Sequence, residues 1–87
     1  MAIKLQPNYP DAYLSRGLIY YVQSKTDLAF ADFNQAVKLA PKSPEALFLR
    51  SAAYNKKGDA SHAQADLAAA KLLDPKIVEK MASIGLK

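Results

Sequence analysis

The sequence repeats itself at an offset of 34 residues, and this period is the strongest constraint on how the chain folds. When residues 10–43 are aligned with residues 44–77, eleven positions carry the same amino acid. A period of this length is typical of arrays in which each unit is one pair of antiparallel helices. We therefore predict an all-α stack of two helical hairpins. The identical pairs are Pro10/Pro44, Ala12/Ala46, Arg16/Arg50, Tyr20/Tyr54, Ala29/Ala63, Ala31/Ala65, Asp32/Asp66, Ala36/Ala70, Leu39/Leu73, Pro41/Pro75 and Lys42/Lys76.

Local signals in the second unit mark where its helices begin and end. Ser43 followed by Pro44 is the usual order of a cap and a first helical residue, so a helix begins near residue 44. That helix is expected to stop at Gly58, which adopts the left-handed backbone conformation without steric cost. Asp59 is expected to cap the next helix, which ends before Pro75.

The first unit follows the same plan. Its first helix is predicted from Pro10 to about Gln23 and its second from Asp27 to about Ala40, with Thr26 as a cap between them. Small residues on the facing sides of the two helices allow the backbones to approach closely, and large aromatic residues fill the space beside them. These small residues are Gly17, Ala29 and Ala36, and the large ones are Tyr13, Tyr20 and Phe33.

Each unit also carries one Arg and one Asp at matching positions. Arg16 and Arg50 lie in the first helix of each unit, whereas Asp32 and Asp66 lie in the second. The spacing favours a periodic Arg–Asp pair between neighbouring helices, worth about 0.2–1 kcal/mol if exposed. The alternative is that the Arg side chains bind a ligand carboxylate.

These residues resemble the tetratricopeptide repeat signature, in which W-x₂-L-G-x₂-Y is followed by A-x₃-F and then P. The second unit departs from the signature by having Ser in place of Gly and Leu in place of Phe. The first unit reads Tyr13-x₂-Arg16-Gly17-x₂-Tyr20, Ala29-x₃-Phe33 and Pro41, and the second reads Leu47-x₂-Arg50-Ser51-x₂-Tyr54, Ala63-x₃-Leu67 and Pro75.

The resemblance implies a right-handed superhelical stack of antiparallel hairpins with a C-terminal capping helix, all in one domain of residues 1–87. Within it, 1–9 would be the tail of a preceding repeat, 10–43 repeat one, 44–77 repeat two, and 78–87 the capping helix or the start of a third repeat. The cap would use Ile77, Val78, Met81, Ala82 and Ile84, with Gly85 as its stop. We read the chain as a piece of a longer solenoid or a very short natural one.

The resemblance also implies a function, because such repeats bind a protein or peptide in a concave groove lined by the first helix of each hairpin. Most of the matching side chains are apolar, so we expect a ligand with apolar anchors, held chiefly by Tyr21 and Phe48. The family members that bind acidic C-termini use Lys, Asn and Arg at these positions, and few such donors are present here. The matching positions that would face the groove are Asp11, Leu14, Leu18, Tyr21 and Val22 in the first hairpin and Glu45, Phe48, Ala52, Asn55 and Lys56 in the second, and all except Asp11 and Glu45 are the expected binding residues.

Three alternatives remain for the strip formed by Leu14, Leu18, Tyr21 and Phe48, which we expect to be exposed. It binds an apolar ligand, it is covered by a further repeat, or it drives self-association into a homo-oligomer. The flank of the first hairpin is the expected contact in a homo-oligomer, since little chain precedes it. An assembly scaffold without its own peptide ligand is the alternative function.

Composition argues against other classes of function. The chain has no Cys and one His, which excludes a thiolate metal site and argues against any metal or cofactor. Ser61 and His62 are adjacent on a predicted helix and point about 100° apart, so they are not a catalytic pair and we expect no enzyme activity. The net charge of +4 is scattered along the chain, which argues against nucleic acid. No apolar run is long enough for membrane insertion, so a soluble, cytoplasmic protein is the default expectation.

Overall fold

A computed structural model describes residues 10–83, and this part of the chain consists of five α-helices joined by short turns, with no β-strand. Helices α1 and α2 form one hairpin, α3 and α4 form the second, and α2 packs against α3. The predicted all-α stack of hairpins is confirmed. The helices are α1 (Pro10–Val22), α2 (Thr26–Leu39), α3 (Pro44–Lys56), α4 (Ala60–Leu73) and α5 (Ile77–Ser83).

The caps of the second hairpin are those predicted. The Ser43 hydroxyl accepts a hydrogen bond from the backbone N–H of Ala46 at 3.2 Å, and the Asp59 carboxylate accepts one from the N–H of His62 at 3.2 Å. Gly58 adopts a positive φ of 83° between the two helices. These bonds satisfy amide groups that have no partner within the first turn of a helix.

The predicted cap at Thr26 is wrong, because Thr26 is already the first residue of α2 and Lys25 takes the cap position without a side-chain hydrogen bond. The two turns have the same geometry. In the first, the N–H of Lys25 donates to the carbonyl of Tyr20 at 2.9 Å, as Asp59 donates to Tyr54 in the second. Lys25 therefore stands where the second hairpin has Asp59, and its side chain has no acceptor oxygen to offer.

Close contact between α1 and α2 depends on Gly17. A Cβ atom at this position would lie 2.5 Å from Cε1 of Phe33, whose side chain is fully buried. The corresponding residues of the second hairpin are Ser51, which is buried, and the smaller Leu67, which is half-buried and packs against the core. The second unit thus departs from the signature, with Ser for Gly and Leu for Phe, at two positions that are in contact in the first hairpin.

The predicted Arg–Asp pairs are present in both hairpins and are bidentate. Arg16 donates from Nε and Nη2 to the two carboxylate oxygens of Asp32 at 2.8 and 2.7 Å. Arg50 does the same with Asp66 at 2.6 and 2.8 Å. The side-chain hydrogen bond that each arginine donates to its Asp raises the pKa of that arginine. In both hairpins the Nε and Nη2 groups of the arginine are therefore already bound to Asp. This supports the interpretation that the arginines stabilise the hairpins rather than bind a ligand carboxylate.

Helix α5 packs against α3 and α4 of the second hairpin. Ile77 is fully buried and Met81 is 4% exposed, and both belong to the core formed with α3 and α4. Val78 and Ala82 face solvent, so only part of the predicted apolar stretch is buried. The expectations for Ile84 and Gly85, and those for residues 1–9, lie outside the described residues. Between residues 10 and 83 no helix combines the length and the apolar character needed to cross a membrane.

Candidate partner-binding face

The eight predicted binding residues lie on two helices that are in contact, α1 and α3. We call the surface that they form the α1–α3 face. The ammonium of Lys56 lies 4.5 Å from the ring centroid of Tyr21, a cation–π contact that joins the two helices. Helix α1 contributes Leu14, Leu18, Tyr21 and Val22, whereas α3 contributes Phe48, Ala52, Asn55 and Lys56.

The expectation that Phe48 is exposed is wrong. Its side chain is 8% exposed and belongs to the hydrophobic core, together with the flanking Leu47 and Leu49. The reason is the central position of α3, which α1, α2, α4 and α5 all contact. A helix surrounded in this way buries residues on almost every side, so three consecutive residues are inaccessible. Phe48 lies beneath the α1–α3 face rather than on it.

The middle of the α1–α3 face is apolar and only partly accessible. Leu14, Leu18 and Tyr21 are half-buried and pack against the core, and Ala52 is half-buried beside them. Tyr21 is also held by Phe33, whose ring centroid lies 6.5 Å away at a tilt of 47°. The side chains of the predicted strip are therefore less exposed than expected, because they pack against the hydrophobic core as well as lining the surface.

The two ends of the α1–α3 face differ in charge. At the C-terminal ends of the helices Val22 is 75% exposed, and Asn55 and Lys56 are also exposed. At the N-terminal ends Asp11 and Glu45 are exposed. The surface is therefore acidic at one end, apolar in the middle, and carries an amide and an ammonium group at the other end.

Behind this face, a set of contacts that the sequence analysis missed joins the two hairpins. Phe30 on α2 packs its ring edge-on against Tyr54 on α3 at a centroid distance of 4.9 Å. Lys57 lies 4.7 Å above the Phe30 ring and pairs with Asp27 at 3.1 Å. In the sequence only Tyr54 indicated these contacts, because it is repeated from the first unit. Phe30 and Lys57 are aligned with different residues in the other unit.

His62 takes part in capping α4 and not in a pair with Ser61. Its Nδ1 lies 2.6 Å from the Asp59 carboxylate, and its ring stacks on Tyr54 at 5.1 Å. Hydrogen bonds from the backbone and the side chain of His62 lower the pKa of Asp59. This keeps the cap ionised, and an ionised acceptor forms the stronger hydrogen bond with the helix N-terminus.

Residues 10–43 match the family model described as the tetratricopeptide repeat. This segment spans α1, α2 and the turn that leads into α3. No curated protein matches the chain at a significant level.

Proposed function

We propose that the chain binds a partner protein or peptide on the α1–α3 face, since residues 10–43 match the tetratricopeptide repeat and such repeats generally mediate protein–protein interactions. The observation that carries the proposal is the 75% exposure of Val22 on α1, the helix that also carries the half-buried Leu14 and Leu18. The family is a non-catalytic interaction repeat, which agrees with a binding function rather than an enzymatic one.

Apolar contacts supply most of the affinity in this proposal. Removing apolar surface from water contributes about 25 cal/mol per Å², and Leu14, Leu18 and Val22 still have surface left to bury. Phe48 supports this surface from below. An apolar side chain of the ligand would therefore rest on Leu18 and Val22, with Tyr21 as the aromatic neighbour.

The charges at the two ends set the orientation of the ligand. Exposed ion pairs contribute only about 0–1 kcal/mol each, so they select a direction rather than provide the affinity. A basic group of the ligand would lie near Asp11 and Glu45, and an acidic or carbonyl group near Asn55 and Lys56. The ammonium of Lys56 is held against Tyr21 and so is positioned before a ligand arrives.

Two exposed apolar residues provide a matched test. Peptides would be selected from a random displayed library on the full chain, and their affinities measured by titration calorimetry against Val22→Asp and Leu72→Asp. Leu72 is 86% exposed and lies on α4, a helix that does not contribute to the α1–α3 face. We expect Val22→Asp to weaken binding about tenfold and Leu72→Asp to leave it unchanged. Equal losses in both variants, or no loss in Val22→Asp, would rule out this face.

A further inference from the structure

The most exposed of the large apolar side chains in residues 10–83 is that of Leu72, at 86%. It lies in the last turn of α4, at the position where α2 has Lys38. Lys38 is exposed although a second hairpin is stacked after it, so this position is not covered when one hairpin packs on the next. The exposure of Leu72 is therefore not explained by the stacking of repeats.

The surface around Leu72 is convex. Helices α1 and α3 touch each other, whereas α2 and α4 do not, so the stack is more open on the side of α2 and α4. A side chain that is 86% exposed also has no pocket around it. A molecule that covers Leu72 must therefore surround the protruding side chain, which a fluid phase does more readily than a folded protein surface.

Three lysines share the end of the stack at which Leu72 lies. Lys71 precedes Leu72, and Lys42 and Lys76 follow the prolines of the turns before α3 and α5. Because the chain reverses at each turn, both turns lie at the same end as the last turn of α4. All three lysines are exposed, and within residues 10–83 none of their side chains forms an ion pair. We call Leu72 and these three lysines the basic end.

The carboxylates at this end of the stack do not cancel the charge of the basic end. Asp74 accepts a hydrogen bond from the ammonium of Lys80 at 2.6 Å, and its side chain is only 18% exposed. Three exposed carboxylates, those of Asp11, Glu45 and Glu79, lie in the first turns of α1, α3 and α5. They are not on α2 or α4, so the side of the stack that carries Leu72 has a positive edge.

We propose that the basic end docks on a lipid bilayer that carries anionic headgroups. Leu72 enters the boundary between the headgroups and the acyl chains, and Lys42, Lys71 and Lys76 lie against the headgroups. Each lysine near such a surface strengthens binding about fivefold. The chain lies on the bilayer and does not cross it. The basic end is separate from the α1–α3 face, which stays open to a partner while the chain is bound to lipid.

Sedimentation of the full chain with vesicles tests the proposal, because bound protein pellets with the lipid. One set of vesicles contains phosphatidylcholine alone, and the other contains phosphatidylserine and phosphatidylcholine in equal parts. We expect binding to the second set only, and we expect added salt to weaken it. Leu72→Gln should weaken binding about tenfold through lost apolar burial, and Lys76→Gln should weaken it about fivefold.

Two control variants carry the same substitutions elsewhere on the surface. Val22→Gln removes an apolar side chain of similar exposure from α1, and Lys25→Gln removes an exposed cation from the turn at the opposite end of the stack. Neither should change vesicle binding. All four substituted side chains are exposed, so the fold should be retained, which circular dichroism would verify.

A tryptophan at position 72 reports insertion directly, since the chain contains no Trp. On addition of the phosphatidylserine vesicles, the emission maximum of Leu72→Trp should move to shorter wavelength, because the indole leaves water. The emission of Val22→Trp should not change. The pair of variants separates insertion of this residue from general attraction of the chain to the vesicle.

Four results would overturn the proposal. Equal losses in Lys25→Gln and Lys76→Gln would mean that any basic part of the chain attracts the vesicles. Unchanged emission of Leu72→Trp would mean that this residue does not enter the bilayer. Self-association that Leu72→Gln abolishes would assign the basic end to a second copy. Binding of single-stranded RNA, but not of vesicles, that Lys76→Gln weakens and Leu72→Gln does not would assign the lysines to nucleic acid.

Discussion

Single atoms decide how closely α1 and α2 approach each other. A methyl group on Gly17 would lie 2.5 Å from a ring carbon of Phe33, and fully buried rings have little room to move. In the second hairpin the larger Ser51 stands at the position of Gly17, and the smaller Leu67 stands at the position of Phe33. The two positions therefore ought to be energetically coupled.

A double-mutant cycle tests this coupling. Gly17→Ser should lower the free energy of unfolding by about 1–3 kcal/mol, because the added atoms overpack the contact with Phe33. When Phe33→Leu is also present, the same substitution should cost less, with a coupling of about 0.5–3 kcal/mol. Urea denaturation of the four proteins measures it. If the two effects simply add, the proposed steric conflict is absent.

Ser24 is the other residue with a local conflict. It has a positive φ of 64°, and it matches Gly58, which has a φ of 83° in the second hairpin. A left-handed conformation costs a residue with a side chain about 1–2 kcal/mol. We expect Ser24→Gly to raise the thermal midpoint and Gly58→Ala to lower it. A lower midpoint for Ser24→Gly would show that its side chain stabilises the turn.

At the scale of elements, the helix ends could be predicted because capping is local chemistry. Ser43, Gly58 and Asp59 act as the sequence suggested. Thr26 did not, since the backbone of the turn, and not the nearest hydroxyl, decided where α2 begins. The accessibility of Phe48 could not be predicted, because it depends on how many helices surround α3, and a helical period carries no information about that number.

Helix α5 offers a test at the scale of elements. Met81 lies in the core at 4% exposure, whereas Val78 on the same helix is 42% exposed. Met81→Ala should destabilise the fold by about 2–5 kcal/mol through a cavity beneath α5. Val78→Ala should change stability by less than about 0.5 kcal/mol. Circular dichroism in denaturant would compare them, and equal effects would mean that α5 does not cover the core.

For the whole molecule, the contacts between α2 and α3 determine whether two hairpins unfold as one unit. In stacked repeats stability is approximately the sum of each unit and its interface with the next. The interface here includes the hydrogen bond from Arg50 to Asn34 and the packing of Phe30 on Tyr54. Both cross from one hairpin to the other.

Asn34→Ala should therefore weaken the coupling between hairpins as well as total stability. Leaving the half-buried Arg50 without this acceptor should cost about 1–3 kcal/mol. Native-state hydrogen exchange should then show α1 and α2 opening at a lower free energy than α3 and α4. The matched control is Lys38→Ala on the exposed side of α2. Unfolding that remains uniform in Asn34→Ala would show that the amide is not part of the coupling.

The difference between the two hairpins at their closest contact also affects how a refolding chain chooses its partners. If α2 folded onto α3 in the manner of α4, Phe33 would be pressed against the Cβ of Ser51, at the place where α1 has only a hydrogen. The reverse exchange, α4 onto α1, would place Leu67 in a space shaped for a phenyl ring and leave a void. Tandem units that resemble each other are prone to such exchanges, within one molecule or between two. The different sizes of Phe33 and Leu67, each matched to the residue opposite it, therefore favour the pairing of each helix with its own partner in the hairpin.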